Sequence, residues 1–162
     1  YKKGVFFLAS YEFNCGNKSA LINYINDNPK SEYNFKAYQT MTHFYANNNM
    51  KDQEIIIYMD MLTKFPNNPN ALNSYAWRMA EIELNLEDAL LKVRKAIDLT
   101  SNDIKSQASI IDTEAEILWK LKRYDDAIES INKAIIIDPK NEYFLDQKEK
   151  FINSKTSDNQ ST

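Results

Sequence analysis

The chain has 162 residues, 43% hydrophobic and 27% charged, the balance of a folded protein and not of a disordered one. Its net charge of −3 comes from lysines and acids interspersed along the sequence, which leaves no basic stripe for phosphates and argues against nucleic acid. Two glycines and four prolines are too few for a sandwich or barrel, the lone Cys15 excludes an internal disulfide or a cysteine-rich zinc site, and no apolar run reaches membrane-spanning length.

The start at Tyr1, with no methionine and no signal peptide, leads us to expect a processed or truncated product with further domains upstream. Tyr1–Phe13 is aromatic-rich and predicts a helix that pairs with Lys18–Asn28 across Cys15-Gly16-Asn17. Leu21, Tyr24 and Pro29 mark the second helix of this pair and its stop. The next stretch reads Tyr38-x2-Met41-Thr42-x2-Tyr45, then Glu54-x3-Tyr58-x2-Met61, then Pro66. A third copy reads Leu72-x2-Tyr75-Ala76-x2-Met79, Ala89-x3-Val93-x2-Ala96 and Ser101, with one extra residue assigned to the turn near Asn85. The fourth is the clearest: Ile111-x2-Glu114-Ala115-x2-Leu118, a polar turn at Lys122-Arg123-Tyr124-Asp125, Ala127-x3-Ile131-x2-Ala134 and Pro139. Small Ala127 and Ala134 share one helix face and allow close helix approach, whereas Glu54 takes the alanine place in the second copy. The closing positions Pro29, Pro66, Ser101 and Pro139 are spaced by 37, 35 and 38 residues. A near-constant period of helix pairs predicts a stacked array, since no pair can bury its apolar stripe alone. Phe144, Lys148 and Phe151 follow at helical spacing and predict a capping helix over 142–152, with 153–162 expected to be a flexible tail.

This pattern resembles the tetratricopeptide repeat, a helix–turn–helix unit of roughly 34 residues with spaced large, small and aromatic positions and a closing proline. The run YDDAIESINKAIIIDPKN looks like the second half of such a repeat, and the resemblance extends from Lys18 to Asn141. It implies an all-α fold: a right-handed superhelical solenoid of antiparallel helix pairs, three to four repeats plus the capping helix. The repeat units would span 1–31, 32–68, 69–103 and 104–141, and the whole array 1–152.

In that family the first helix of each pair lines a concave groove. Carried over position by position, this implicates Lys36, Gln39 and His43, then Asn70, Asn73, Trp77 and Glu81, then Ser109, Asp112, Glu116 and Trp119. Trp77 and Trp119 stand either as aromatic anchors in the groove or as core residues. Asp112 and Glu116 share a face, which reads either as solvated surface or as an acidic part of the groove. Glu114 falls where the family has a large apolar residue. A shifted helix phase is the simpler explanation; otherwise the carboxylate is partly buried and meets a lysine or arginine from Leu91–Lys95. One sub-class of the family clamps C-terminal carboxylates with inward lysines, arginine and asparagines. The positions here hold Gln39, His43, Asn73, Trp77, Asp112 and Glu116, so a partner with apolar and basic character fits better than an acidic tail.

No convergent set of nucleophile, base and anion-binding groups occurs, so neither catalysis nor any cofactor or metal is expected. The expected function is a protein-interaction scaffold that holds a protein or peptide partner in the groove, with no nucleic acid and no membrane insertion. The alternative is an accessory C-terminal repeat region of a larger multidomain protein, such as one with a thioredoxin-like domain. Its contacts would be intramolecular or homo-oligomeric. Cytoplasm and periplasm both remain open as compartments.

Overall fold

The structure, a computed structural model, describes residues 2–160; Tyr1, Ser161 and Thr162 lie outside the described residues. Among those described, all regular structure is helical: α1 (Lys2–Asn14), α2 (Ala20–Asp27), α3 (Asn34–Asn47), α4 (Lys51–Lys64), α5 (Pro69–Glu81), α6 (Leu86–Leu99), α7 (Ile104–Lys120), α8 (Tyr124–Ile137) and α9 (Glu142–Gln160). The helices fall into two compact units that divide between Pro66 and Asn67.

In the first unit α1 packs on α2, α2 on α3, and α3 on α4. The spaced apolar residues supply its core, with Phe6, Phe13, Leu21, Tyr38 and Met41 all fully buried. The Phe13 ring meets Phe44 and Tyr45 edge-on at 5.1 and 6.0 Å, a favoured geometry for aromatic quadrupoles. Tyr38 is buried to its tip, where the hydroxyl donates to Asp60, so no donor is left stranded. Burial and that carboxylate together push the hydroxyl pKa well up. Glu54, in the alanine place of α4, is fully buried, which explains the weak match of this copy to the repeat pattern.

In the second unit each helix from α5 to α9 packs on the next, and α5 also packs on α7. Ala71, Ala76, Ala89, Ala96, Ala115, Ala127 and Ala134 are completely buried, and their small size is what lets the helix axes approach. Tyr75 repeats the device of Tyr38: its hydroxyl donates to Asp88 at 2.9 Å. Burial first, and Asp88 second, push its pKa up to about 12.

The turns inside the pairs are alike. Helices α3, α5 and α7 each end in a left-handed residue, Asn49, Glu83 and Lys122 at φ 54°, 52° and 60°. The next residue then bonds back into the helix: Met50 N–H to Tyr45 C=O, Leu84 to Met79 and Arg123 to Leu118, at 2.9, 3.0 and 2.9 Å. This satisfies carbonyls that a helix end would otherwise orphan. The extra residue expected near Asn85 is Asn85 itself, a second left-handed residue (φ 51°) standing after the closed turn of α5.

Helix α5 starts at a built cap. The Asn68 side chain accepts from the N–H groups of Asn70 and Ala71 at 3.0 and 3.1 Å, and Pro69 sits at the first position, where no donor is needed. Asn68→Ala is expected to cost about 1 kcal/mol. A urea titration followed by tryptophan emission reports this, because Trp77 and Trp119 both lie in the second unit; an unchanged midpoint would show that the cap is dispensable.

The last helix corrects one expectation. It does not stop at Ile152 and give way to a flexible tail; α9 continues to Gln160. From residue 153 onward it lacks apolar residues but is tied down by polar ones. Ser154 accepts from the Trp119 indole at 2.8 Å, Asp158 from the Tyr124 hydroxyl at 2.8 Å, and Lys155 pairs with Asp125. A purely apolar criterion misses such a helix.

Candidate peptide-binding face

Lys36, Gln39 and His43 stand on one exposed face of α3, at spacings of three and four residues. The structure brings all three together: they line a depression of about 530 Å³ with Thr40, Phe44, Asn47, Asn48 and, from α1, Asn14. Its chemistry is amide-rich and cationic. The Asn14 side-chain nitrogen donates to Ser10 C=O at 2.9 Å, and that of Asn47 to His43 Nε2 at 2.9 Å. Both asparagines therefore keep their side-chain oxygens for an incoming donor. The Lys18 ammonium lies 3.6 Å from the centre of the Phe44 ring at the margin. Among the described residues Lys36 makes no ion pair. The sequence missed Asn14 and Asn47; Asn47 could have been found one turn beyond His43.

In the second unit Asn70, Asn73, Trp77 and Glu81 follow one another along α5. Asn70 and Glu81 are exposed, Asn73 and Trp77 half-buried. The Asn73 side-chain oxygen is fully enclosed with no partner, and Glu81 pairs with Arg78 at 3.2 Å. Ser109, near the start of α7, is exposed.

The rest of α7 departs from expectation. Asp112 and Glu116 are neither solvated surface nor an open acidic groove; they are 6% and 9% exposed. Helix α9 engages them. Lys150 donates to Glu116 at 2.5 Å, Gln147 reaches the same oxygen at 3.4 Å, and the Tyr143 hydroxyl accepts from Gln147 at 2.6 Å. One Asp112 oxygen is left without a partner. Its carboxyl pKa is pushed up to about 7, chiefly by burial and then by the Glu116 charge, with Lys150 and Tyr143 pulling the other way. Trp119 is half-buried: its ring lies 6.1 Å from Phe151, and the Lys150 ammonium sits 4.3 Å from its centre. Of the acidic pair on which an apolar and basic partner was expected, Glu116 is thus paired with the chain's own Lys150 and Asp112 is enclosed beside it.

Glu114 is not a sign of shifted phase. Ile111, Ala115 and Leu118 are buried as the frame requires, and Glu114 pairs with Arg94 of α6 at 2.7 Å while accepting from Ser130 at 2.8 Å. Arg94 lies inside the segment expected to supply such a partner.

Among the described residues, no group of three or more His, Cys, Asp or Glu side chains is placed to hold a metal ion. Nor is any helix among them long and apolar enough to cross a membrane.

Comparison with known proteins agrees with this geometry. Residues 108–141 match the tetratricopeptide repeat family model. The pilF protein of Pseudomonas aeruginosa has a similar solved structure, with a TM-score of 0.71 and 14% identity, covering 96% of this chain and 69% of that one. So does PilW, a widely conserved type IV pilus biogenesis factor, with a TM-score of 0.65 and 13% identity, covering 96% and 76%. None of the curated proteins matches the sequence. The chain is a helical-repeat protein of the tetratricopeptide fold, and residues 108–141 form one such repeat.

Proposed function

We propose that the chain is a binding module that holds an extended segment of a partner protein against the exposed face of α3, with no chemistry of its own. The observation that carries this reading is the depression lined by Lys36, Gln39, His43, Asn14 and Asn47, which no other described element of the first unit fills. Amide side chains suit such a role because each can meet main-chain donors or acceptors whatever the side chains of the bound segment. The α5 face, with Asn70, Asn73, Trp77 and Glu81, offers a second surface of mixed aromatic and amide character. The covered face of α7 does not enter the proposal. The two similar solved structures support the helical-repeat fold on which this reading stands.

Peptides selected from a random displayed library on the immobilised chain test the reading. The joint Lys36→Glu and Gln39→Ala variant is expected to weaken a selected, resynthesised peptide about tenfold or more, measured by fluorescence anisotropy. Its helical circular dichroism should be unchanged, because neither side chain belongs to the core. Equal affinity for variant and parent would remove the α3 face from the proposal.

A further inference from the structure

Helix α1 carries an aromatic surface that the α3 reading leaves unused. Its residues Phe6-x2-Ala9-Ser10-x2-Phe13 repeat the spacing Tyr38-x2-Met41-Thr42-x2-Tyr45 of α3, and Phe6, Ala9 and Phe13 are buried just as Tyr38, Met41 and Tyr45 are. In this frame Phe7 and Tyr11 stand where Gln39 and His43 stand on α3. Both are exposed, Phe7 by 52% and Tyr11 by 68%. Phe7, Tyr11 and Asn14 occupy one face of α1 at spacings of four and three, and Asn14 already lines the α3 depression. Helix α1 packs against α3, and Phe7 and Tyr11 stand on the face of α1 that carries Asn14 to the edge of that depression.

Three lysines stand beside this surface, and the exposed acid of α1, Glu12, lies about 100° around the helix from Tyr11. The Lys3 ammonium lies 5.8 Å from the centre of the Phe7 ring, Lys18 stands over Phe44, and Lys36 lies within the depression. No acid stands among Phe7, Tyr11, Asn14, Lys36, Gln39, Thr40, His43 and Asn47. Exposed rings beside cations favour a segment that brings both an apolar side chain and a carboxylate.

We infer that the α1–α3 face selects an extended protein segment in which an aromatic or branched apolar side chain neighbours an acidic one. The apolar group packs on Phe7 and Tyr11, the carboxylate turns to Lys36, and Asn14, Gln39 and Asn47 take the main chain. This inference rests on the proposed function and names the class of partner. It reverses the partner charge expected from Asp112 and Glu116.

A positional-scanning library of heptapeptides, bound to the full chain in solution, tests it. The wild type is expected to enrich Phe, Tyr, Trp, Leu or Ile within two positions of Asp or Glu. The Phe7→Ser, Tyr11→Ser double variant should lose the apolar preference and bind enriched peptides about tenfold more weakly. Lys36→Glu should exchange the acidic preference for a basic one. Leu8→Ser is the control: Leu8 is 58% exposed on the same helix but about 100° around from Phe7, and its substitution should change nothing. If Lys36→Glu and Gln39→Ala weaken binding while the α1 double variant does not, this inference falls and the α3 reading stands. Should no variant matter, or no peptide be enriched, both fall. Equal damage from Leu8→Ser would reduce the effect to the integrity of the helix and overturn the inference. It is equally overturned if the α1 double variant leaves peptides untouched but abolishes either self-association in light scattering or adsorption to phosphatidylserine vesicles.

Discussion

Phe151→Ala is expected to destabilise the second unit by about 3–5 kcal/mol, the usual cost of deleting a fully enclosed aromatic ring. Phe151 is completely buried, lies against Trp119, and with Phe144 is one of only two large apolar residues that α9 sends inward. From residue 153 onward the helix has no apolar anchor of its own, so Ser154, Lys155 and Asp158 hold their partners only while Phe151 fixes the helix above them. Two readings should therefore move together. The urea midpoint followed by tryptophan emission should fall, and Trp119 emission in a Trp77→Phe background should shift to the red as the ring meets water. A loss below about 1 kcal/mol with unchanged emission would mean that the polar contacts position α9 without Phe151.

The second large effect is a dependence on pH that runs opposite to ordinary acid unfolding. The Asp112 carboxyl is raised from its ordinary value of 3.8 to about 7 in the folded chain. Between these values the folded state holds a proton that the unfolded chain has released. Stability from this group is therefore complete below the lower value and is lost as pH rises through the upper one. Each tenfold change in proton affinity corresponds to ~1.4 kcal/mol, so the whole window, with the Lys150 charge already in it, amounts to at most about 4 kcal/mol. Asp112→Asn removes the titration. The stability difference between variant and parent should move in the variant's favour by that amount between roughly pH 4 and pH 8. Equilibrium unfolding at several pH values reads it, and a difference that stays flat would place the carboxylate in a solvated environment. Tyr143, Gln147, Glu116 and Lys150 all face this group and are common to both proteins, so their contributions cancel to first order.

The parts of the fold that the sequence made legible are those written in buried periodic positions. Tyr38, Met41, Tyr75, Ala76, Met79, Ala115, Leu118, Ala127 and Ala134 recur at helical spacing because each points inward, and all are enclosed. The parts that stayed hidden depend on partners far along the chain. Spacing alone cannot say that Lys150 reaches Glu116, or that Ser154 meets Trp119 from the far end of α9. For the same reason Asp112 and Glu116 looked solvent-facing, and residues 153–160 looked unstructured. Glu114 was a middle case. Its misfit signalled a need for a counter-charge, and only the choice between that need and a shifted phase required coordinates. On the face proposed for binding, Lys36, Gln39 and His43 could be assigned to one side of α3 because α3 keeps its frame clearly, while the frame of α1 went unread behind its run of aromatics.

Asn85 shows where this architecture can change length. The bond from Leu84 to Met79 closes the end of α5 before Asn85 is reached, and α6 begins only after it. The added residue therefore falls between two finished structures, and its left-handed backbone takes up the extra step. Neither helix has to rotate about its own axis to admit it: Met79 and Ala89 on either side are both buried, like their counterparts Leu118 and Ala127 around the shorter turn. Insertions at this joint leave the buried register intact, whereas one residue added inside either helix would turn every later side chain by about 100° and carry its alanines out of the interface.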